Sequence, residues 1–377
     1  MMSRWAEFSE GTMDMSIVLL RDTSRPFTPL DQLLRGPNSA RIIFDARRDN
    51  RRLVYERIAA AIPSSCAYLV ANDGTELGMV AALGPPNPVA YALHGDYEFY
   101  YALAVRHSRD IGSFLCVSRR IQDKLGELLP QRVADIHLTH PIVANPSGRS
   151  FRVSNQEPLR LLFVGRLTEE KGFFDLRRID MALRKAGTPA QWTIMAPRCG
   201  QLSGEAAEWL SAVHVIHRHV VPEREMEGIY LSHDILVFPS RAEGFSMAVL
   251  ESMKCGMVPV VSRLDSGMPE MVDDGTTGFI TDAGDHQAMA LRIASLSRDR
   301  TRLRSMGETA LSFSQERFDC SEAVNRLSQA VTAAAPRGDF QSEAPTYMSR
   351  LDRKWLPNSS VRFMRRMAGA LRPKVIL

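Results

Sequence analysis

FPSRAEGFSMAVLE, residues 238–251, is the stretch whose reading decides the fold. It closes an apolar run, DILVFPS, that reads as a buried strand, and it turns through Glu243-Gly244-Phe245-Ser246 into a helix. A strand, a small-residue turn and a helix start together make an anion site, because the first backbone N–H groups of a helix have no partner within it. Glu243 and Glu251 flank that site. Carboxylates repel an anion and only accept hydrogen bonds, so they suit the hydroxyls of a sugar or ribose beside a phosphate. The plainer reading is a strand–helix unit with a capped helix, Ser246 being the cap and Gly256 the residue past its end.

Working outward, the same alternation fills the chain. SIVLL, RIIFDA, CAYLVA, PVAYALHG, SFLCVS and ADIHLTH read as strands of a first half. LRLLFVG, WTIMAP, VHVIH, DILVFPS and VPVVS read as strands of a second. Helical patterns lie between them, and residues 283–334 are helical throughout. Apolar runs separated by helices imply parallel β-α units buried on both faces. The fold class is therefore α/β, with two doubly wound halves and a cleft between the carboxyl ends of their sheets. The Pro-, Ser- and Asn-rich stretch 141–158 reads as the linker. The expected boundaries are 1–150 for an N-terminal Rossmann-like domain and 151–335 for a C-terminal one. A basic tail, 336–377, is free to return to the N-terminal domain.

The bulk numbers fit that division. A chain of 377 residues allows two domains, and 45% hydrophobic with 24% charged residues is ordinary for a globular protein. Five cysteines lie far apart with no C-x-x-C pair, which argues against a zinc site or a disulfide framework. The N-terminus, MMSRWAEFSEGTMDM, lacks the apolar stretch of a signal peptide, and no run approaches the ~18 apolar residues that span a bilayer. The expectation is a cytoplasmic protein. From residue 350 to 374, Arg350, Arg353, Lys354, Arg362, Arg365, Arg366, Arg372 and Lys374 stand against a single acid, Asp352. In VRFMRRMAGALR, residues 361–372, Val361, Met364, Ala368 and Leu371 share one helical face. That pattern fits a basic helix lying at the inner face of an anionic membrane, and equally a tail packed on its own protein. Stacking aromatics are sparse there, so no nucleic-acid partner is expected.

GRLTEEKG, residues 165–172, follows the strand LRLLFV and opens another helix. Gly165 permits a tight turn, and Arg166 and Lys171 are cations at the carboxyl end of a strand. Thr168 reads as the N-cap. Cations beside a helix N-terminus oppose its dipole unless an anion binds between them. VGRLTEEKG, then FPSRAEGFSMAVLESMKCGMVPVVS, then GMPEMVDDGTTGFI resemble the C-terminal domain of a retaining glycosyltransferase of family 4, with the GT-B fold. The resemblance covers roughly residues 159–318 and rests on Glu243-x7-Glu251 and GRL-x3-KG together.

The resemblance implies that Arg166 and Lys171 hold a donor diphosphate, that Glu251 binds ribose hydroxyls and that Glu243 contacts the donor sugar. Backbone groups of Gly165, Gly244, Phe245 and Ser246 would line the same donor site. ALHGDYEFYY, residues 92–101, resembles the family's His-containing turn, which places His94 on the donor sugar from the other half. Ser118 resembles the residue capping the helix after a Val-Ser strand. His219 stands where the family often has Gly. The Gly-Gly turn usual after the first strand is missing from RDTSRPFTPLDQLLRG, residues 21–36, so the acceptor is not inherited.

The function implied is transfer of a sugar from a nucleotide-sugar to a hydroxyl of a glycan or glycolipid, with retention, as in polysaccharide biosynthesis. No cofactor is expected, the nucleotide-sugar being a co-substrate. No Asp-x-Asp motif appears, and no metal is expected. The alternatives are a GT-B epimerase or hydrolase of sugar nucleotides, and a non-catalytic sugar-nucleotide-binding protein.

Overall fold

In the second half, short β-branched and aromatic runs buried on both faces build a six-stranded parallel sheet. Its strands are β7 (Leu159–Val164), β8 (Ala190–Met195), β9 (Val215–Arg218), β10 (Ile235–Phe238), β11 (Val258–Ser262) and β12 (Phe279–Thr281). They lie in the order β12-β11-β10-β7-β8-β9. The sheet thus grows outward in both directions from the pair β7 and β10, and that reversal is where open α/β sheets place their ligand crevice. The computed structural model describes residues 15–24, 39–146, 158–197, 203–219, 223–336, 349 and 351–370. Most of the expected linker and of the segment after the first strand lies outside these described residues.

The first half holds β1 (Val18–Asp22) paired in parallel with β2 (Ala40–Phe44), and a separate parallel sheet in sequential order. That sheet is β3 (Leu69–Ala71), β4 (Val89–Leu93), β5 (Ser113–Cys116) and β6 (Ile136–Leu138). Among the described residues of this half, α1 (Arg51–Ala60), α2 (Gly74–Leu83), α3 (Glu98–Arg106) and α4 (Arg119–Leu128) connect them. RRLVYERIAAAI, residues 51–62, and YEFYYALAVRHS, residues 97–108, read as helices from the sequence, and they correspond to α1 and α3. Helix α2 had no sequence signal, because its apolar residues run around the helix with no polar face.

In the second half α5 (Phe173–Lys185), α6 (Glu205–Leu210), α7 (Glu223–Leu231), α8 (Met247–Lys254) and α9 (Met268–Met271) connect the strands. The helical run that follows is α10 (His286–Arg298), α11 (Arg300–Arg317) and α12 (Cys320–Thr332), and a last helix, α13, spans Asn358–Ala370.

Helix α12 does not stay with the second half. Ala323, Val324, Leu327, Ala330 and Val331, an i, i+1, i+4, i+7, i+8 stripe, pack on Ala90, Ala92 and Leu115 of β4 and β5. Small side chains on that face of β4 let the helix approach, while Tyr91 and Leu93 fill the opposite face. The Ser113 hydroxyl donates to the Ala330 carbonyl at 2.7 Å. The chain therefore passes between the halves twice, near Val143 and near Phe318. Lys254, at the end of α8 and fully buried, donates to both the Val143 and the Phe318 carbonyl, at 2.7 and 2.8 Å.

Candidate functional site

Two loops leave the carboxyl ends of β7 and β10 at the reversal of strand order. The first carries Gly165, Arg166, Glu170, Lys171 and Gly172, and the second carries Ser240, Glu243, Gly244, Phe245 and Ser246. They are bound together closely. Gly172 has φ 68°, a conformation favouring glycine, and a Cβ there would lie 1.9 Å from the Pro239 carbonyl oxygen. The Arg241 N–H donates to the Glu170 carbonyl at 2.8 Å. Gly172 precedes α5 as its cap residue, so Thr168 is not the N-cap that the sequence suggested. Its buried hydroxyl has no hydrogen-bond partner among the described residues. Four residues lie between it and Phe173, the first helical residue, and it is the Thr168 backbone carbonyl, not the hydroxyl, that accepts the Phe173 N–H at 3.2 Å.

The cations expected to hold an anion are in ion pairs. The Lys171 ammonium lies 2.7 Å from the Glu243 carboxylate and also donates to the Ala242 carbonyl at 3.3 Å. The Ser240 hydroxyl donates to the same Glu243 oxygen at 3.0 Å. Arg166, more than half exposed, pairs with Glu170 at 3.1 Å. Tyr97, from the start of α3 in the other half, donates its hydroxyl to that Glu170 at 3.0 Å. Burial and the Glu170 carboxylate push the phenol up to about 12, so it stays a donor at neutral pH.

Ser246 caps α8, accepting from the Val249 N–H at 3.4 Å. Among the described residues the N–H groups of Gly244, Phe245 and Ser246 donate to nothing. Glu251 sits one turn into α8 and accepts from the Tyr230 hydroxyl at 2.7 Å. Phe245 is buried against His140 and Phe318, so its backbone rather than its ring borders the site.

The two halves touch at Gly244. A Cβ there would lie 2.5 Å from Gly95 Cα and 2.6 Å from the His94 carbonyl oxygen. His94 follows β4, and its Nε2 lies 2.8 Å from Asn72 Oδ1. An amide oxygen only accepts, so Nε2 carries the proton and Nδ1 is left as an acceptor. Burial pushes the imidazole down to about 4, so the ring is neutral. Asp96 accepts from the Tyr101 hydroxyl at 2.7 Å and faces Arg120 and Lys124 at 3.6 and 3.5 Å, a structural role within the first half. Ser118 caps α4 from a buried position beside Gly267. Glu270 of α9 accepts from the Arg119 N–H at 2.7 Å and pairs with His140 at 3.1 Å, a second bridge between the halves.

The expected residues Gly165, Arg166, Lys171, Glu243, Gly244, Ser246 and Glu251 thus line one end of the second sheet, with His94 brought to Gly244 from the first. His219 makes a ring contact with His217, and residues 220–222 beside it lie outside the described residues. Asn72, Tyr97, Glu170 and Tyr230 are the additions. Glu170 lay within a motif already singled out, and its position one residue before Lys171 could have marked it. The others carry no spacing signal.

Residues 148–313 match the family described as Glycosyl transferases group 1. Similar proteins include a putative colanic acid biosynthesis glycosyltransferase, WcaL, of Salmonella typhimurium, 29% identical over 45% of this chain and 43% of its own length. A D-inositol 3-phosphate glycosyltransferase of Corynebacterium kroppenstedtii is 32% identical over 47% of this chain and 41% of its own. The alignments therefore span about two fifths of these relatives. Among solved structures, Anabaena Alr3699/HepE in complex with UDP-glucose superposes with a TM-score of 0.65 at 17% identity, covering 85% of this chain and all of that one. The architecture is a GT-B fold with a helical C-terminal extension.

Proposed function

We propose, from the premise that residues 148–313 carry the glycosyl transferases group 1 signature, that this chain moves a sugar from a nucleotide-sugar to a hydroxyl of a glycan or glycolipid. The anomeric configuration is retained, as in family 4. Residues 151 to about 318 serve as the donor-binding domain, and residues 1–150, with α12 packed on their sheet, as the acceptor-side domain. The observation that carries the reading is the juxtaposition, at the strand-order reversal, of Arg166, Lys171, Glu243 and the unpartnered N–H groups before α8.

The chemistry follows from charge. As the bond between the anomeric carbon and the phosphate oxygen breaks, its electron pair leaves with the diphosphate and positive charge builds on the sugar. Arg166, Lys171 and the helix start stabilise the departing anion from fixed positions, a contribution worth about 3–4 kcal/mol per well-placed donor. The diphosphate takes the place that Glu170 and Glu243 hold around the two cations. Glu243, once released, and neutral His94 accept hydrogen bonds from sugar hydroxyls, and Glu251 accepts from the ribose. The cations and helix end supply the charge stabilisation that a divalent ion gives elsewhere, so turnover is metal-independent. The work takes place on the cytoplasmic side, where nucleotide-sugars are available.

The test is turnover of UDP-, GDP- and ADP-sugars, in EDTA, with lipid and glycan extracts as acceptors and NMR of the product anomer. We expect acceptor-dependent release of one nucleoside diphosphate, a retained anomeric centre, and a loss of 100-fold or more in Lys171→Ala and Glu243→Ala. Release that ignores the acceptor would replace transfer by hydrolysis, and inversion at the anomeric carbon would overturn the assignment to a retaining family.

A further inference from the structure

Helix α13 is held to the first half by its polar side. Asn50 Nδ2 donates to the Arg353 and Leu356 carbonyls, both at 2.9 Å, and the Asn50 N–H donates to the Asn358 side chain at 2.7 Å. Arg365 pairs with Asp352 at 2.7 Å, and Arg362 pairs with Asp49. Burial alone would raise the Asp49 and Asp352 carboxyls, but the Arg362 hydrogen bond on Asp49, and the hydrogen bonds that Asp352 accepts from the Arg51 N–H and from Ser349, hold both below the usual range, so they are anions. Val361 is fully buried beneath the helix. It faces the protein rather than solvent, in keeping with the second of the two readings of that face, a tail packed on its own protein. Ala368 and Leu371 of that face have no described side chains.

The opposite side is the unusual one. Phe363 and Met367, four residues apart and so on one face, are 65% and 52% exposed, and Trp355 in the preceding turn is 76% exposed. Arg366 shares that face, and Arg353 and Lys354 immediately precede Trp355, all three exposed. None of these three cations has a side-chain partner among the described residues, and no carboxylate lies between residues 353 and 370. Large apolar side chains interleaved with unpaired cations, on a helix fixed from behind, match a surface that is apolar beneath and anionic at its rim.

We propose that the outward face of α13, with Trp355, Phe363 and Met367 as apolar anchors and Arg353, Lys354 and Arg366 as headgroup contacts, seats the protein on an anionic lipid surface. Charge complementarity selects lipid over a second copy of the chain, since two copies joined at this face would bring six unpaired cations together. The inference stands independently of the glycosyl-transfer reading, and deepens it by presenting the first half to a membrane in which a glycolipid acceptor would lie.

The test is co-sedimentation of the full chain with vesicles of phosphatidylcholine alone and of phosphatidylcholine with phosphatidylglycerol. Binding is expected only with the anionic lipid, falling as salt rises. A Phe363→Ser/Met367→Ser variant should lose binding at least tenfold, and Arg353→Gln/Lys354→Gln/Arg366→Gln roughly fivefold per charge. All five positions are exposed, so the variants should keep the parent's melting temperature. No binding to anionic vesicles at low salt, or binding untouched by both variants, overturns the proposal. So does a dimer of the parent chain that the Phe363→Ser/Met367→Ser variant dissociates.

Discussion

His94 and Asn72 show how a single pair fixes what a site residue does. The Asn72 amide oxygen holds the ring as its Nε2–H tautomer, and burial keeps it neutral from a pKa of about 4 upward. A depressed imidazole disfavours protonation of the folded state. Its contribution to stability is therefore complete above the ordinary value of 6.5 and is lost as pH falls toward 4. Asn72→Asp would place a carboxylate on Nε2, favour imidazolium and turn Nδ1 into a donor. The expected result is a new acid limb in the pH–rate profile near neutrality, with transfer depressed at pH ~6 and recovering by pH ~8.5. An unchanged profile would remove Nδ1 acceptance from the mechanism. At this scale, legibility followed spacing. Arg166, Lys171, Glu243 and Glu251 were readable because each pair lies within one short segment. Tyr97 meets Glu170 across 73 positions, and no local rule links them.

Elements were more legible than their packing. The strands of both halves except β12 were readable from apolar runs because parallel sheets bury both faces, whereas the three residues Phe279–Thr281 are too short a run to stand out. The run 283–334 was readable as helix, but where each helix packs was not, since the stripe of α12 would fit either half. What decides is the small-residue face of β4. Lys254 illustrates the same limit. In sequence it is one cation in the last turn of a helix. In the fold it joins the end of α8, which carries Glu251, to both crossings of the chain. Lys254→Met preserves the volume but leaves two buried carbonyls without their donor. A stability loss of about 2–4 kcal/mol is expected, measured by urea unfolding. A loss under about 0.5 kcal/mol would show that neither crossing depends on it.

Across the whole molecule, the two halves meet around one end of the second sheet, through Gly244 on Gly95, Tyr97 on Glu170, and Glu270 on Arg119 and His140. The first two contacts involve loops that would surround a bound donor, so donor binding and the arrangement of the halves are physically linked. The central claim is that Arg166, Lys171 and the start of α8 form a nucleoside-diphosphate site that needs no metal. Thermal-shift measurement with UDP, GDP and ADP in EDTA, on the parent chain and on Lys171→Ala, tests it most directly. The account predicts a selective rise in melting temperature with one nucleotide, undiminished by EDTA and lost in Lys171→Ala. No shift with any of the three, or a shift that EDTA abolishes, would contradict it.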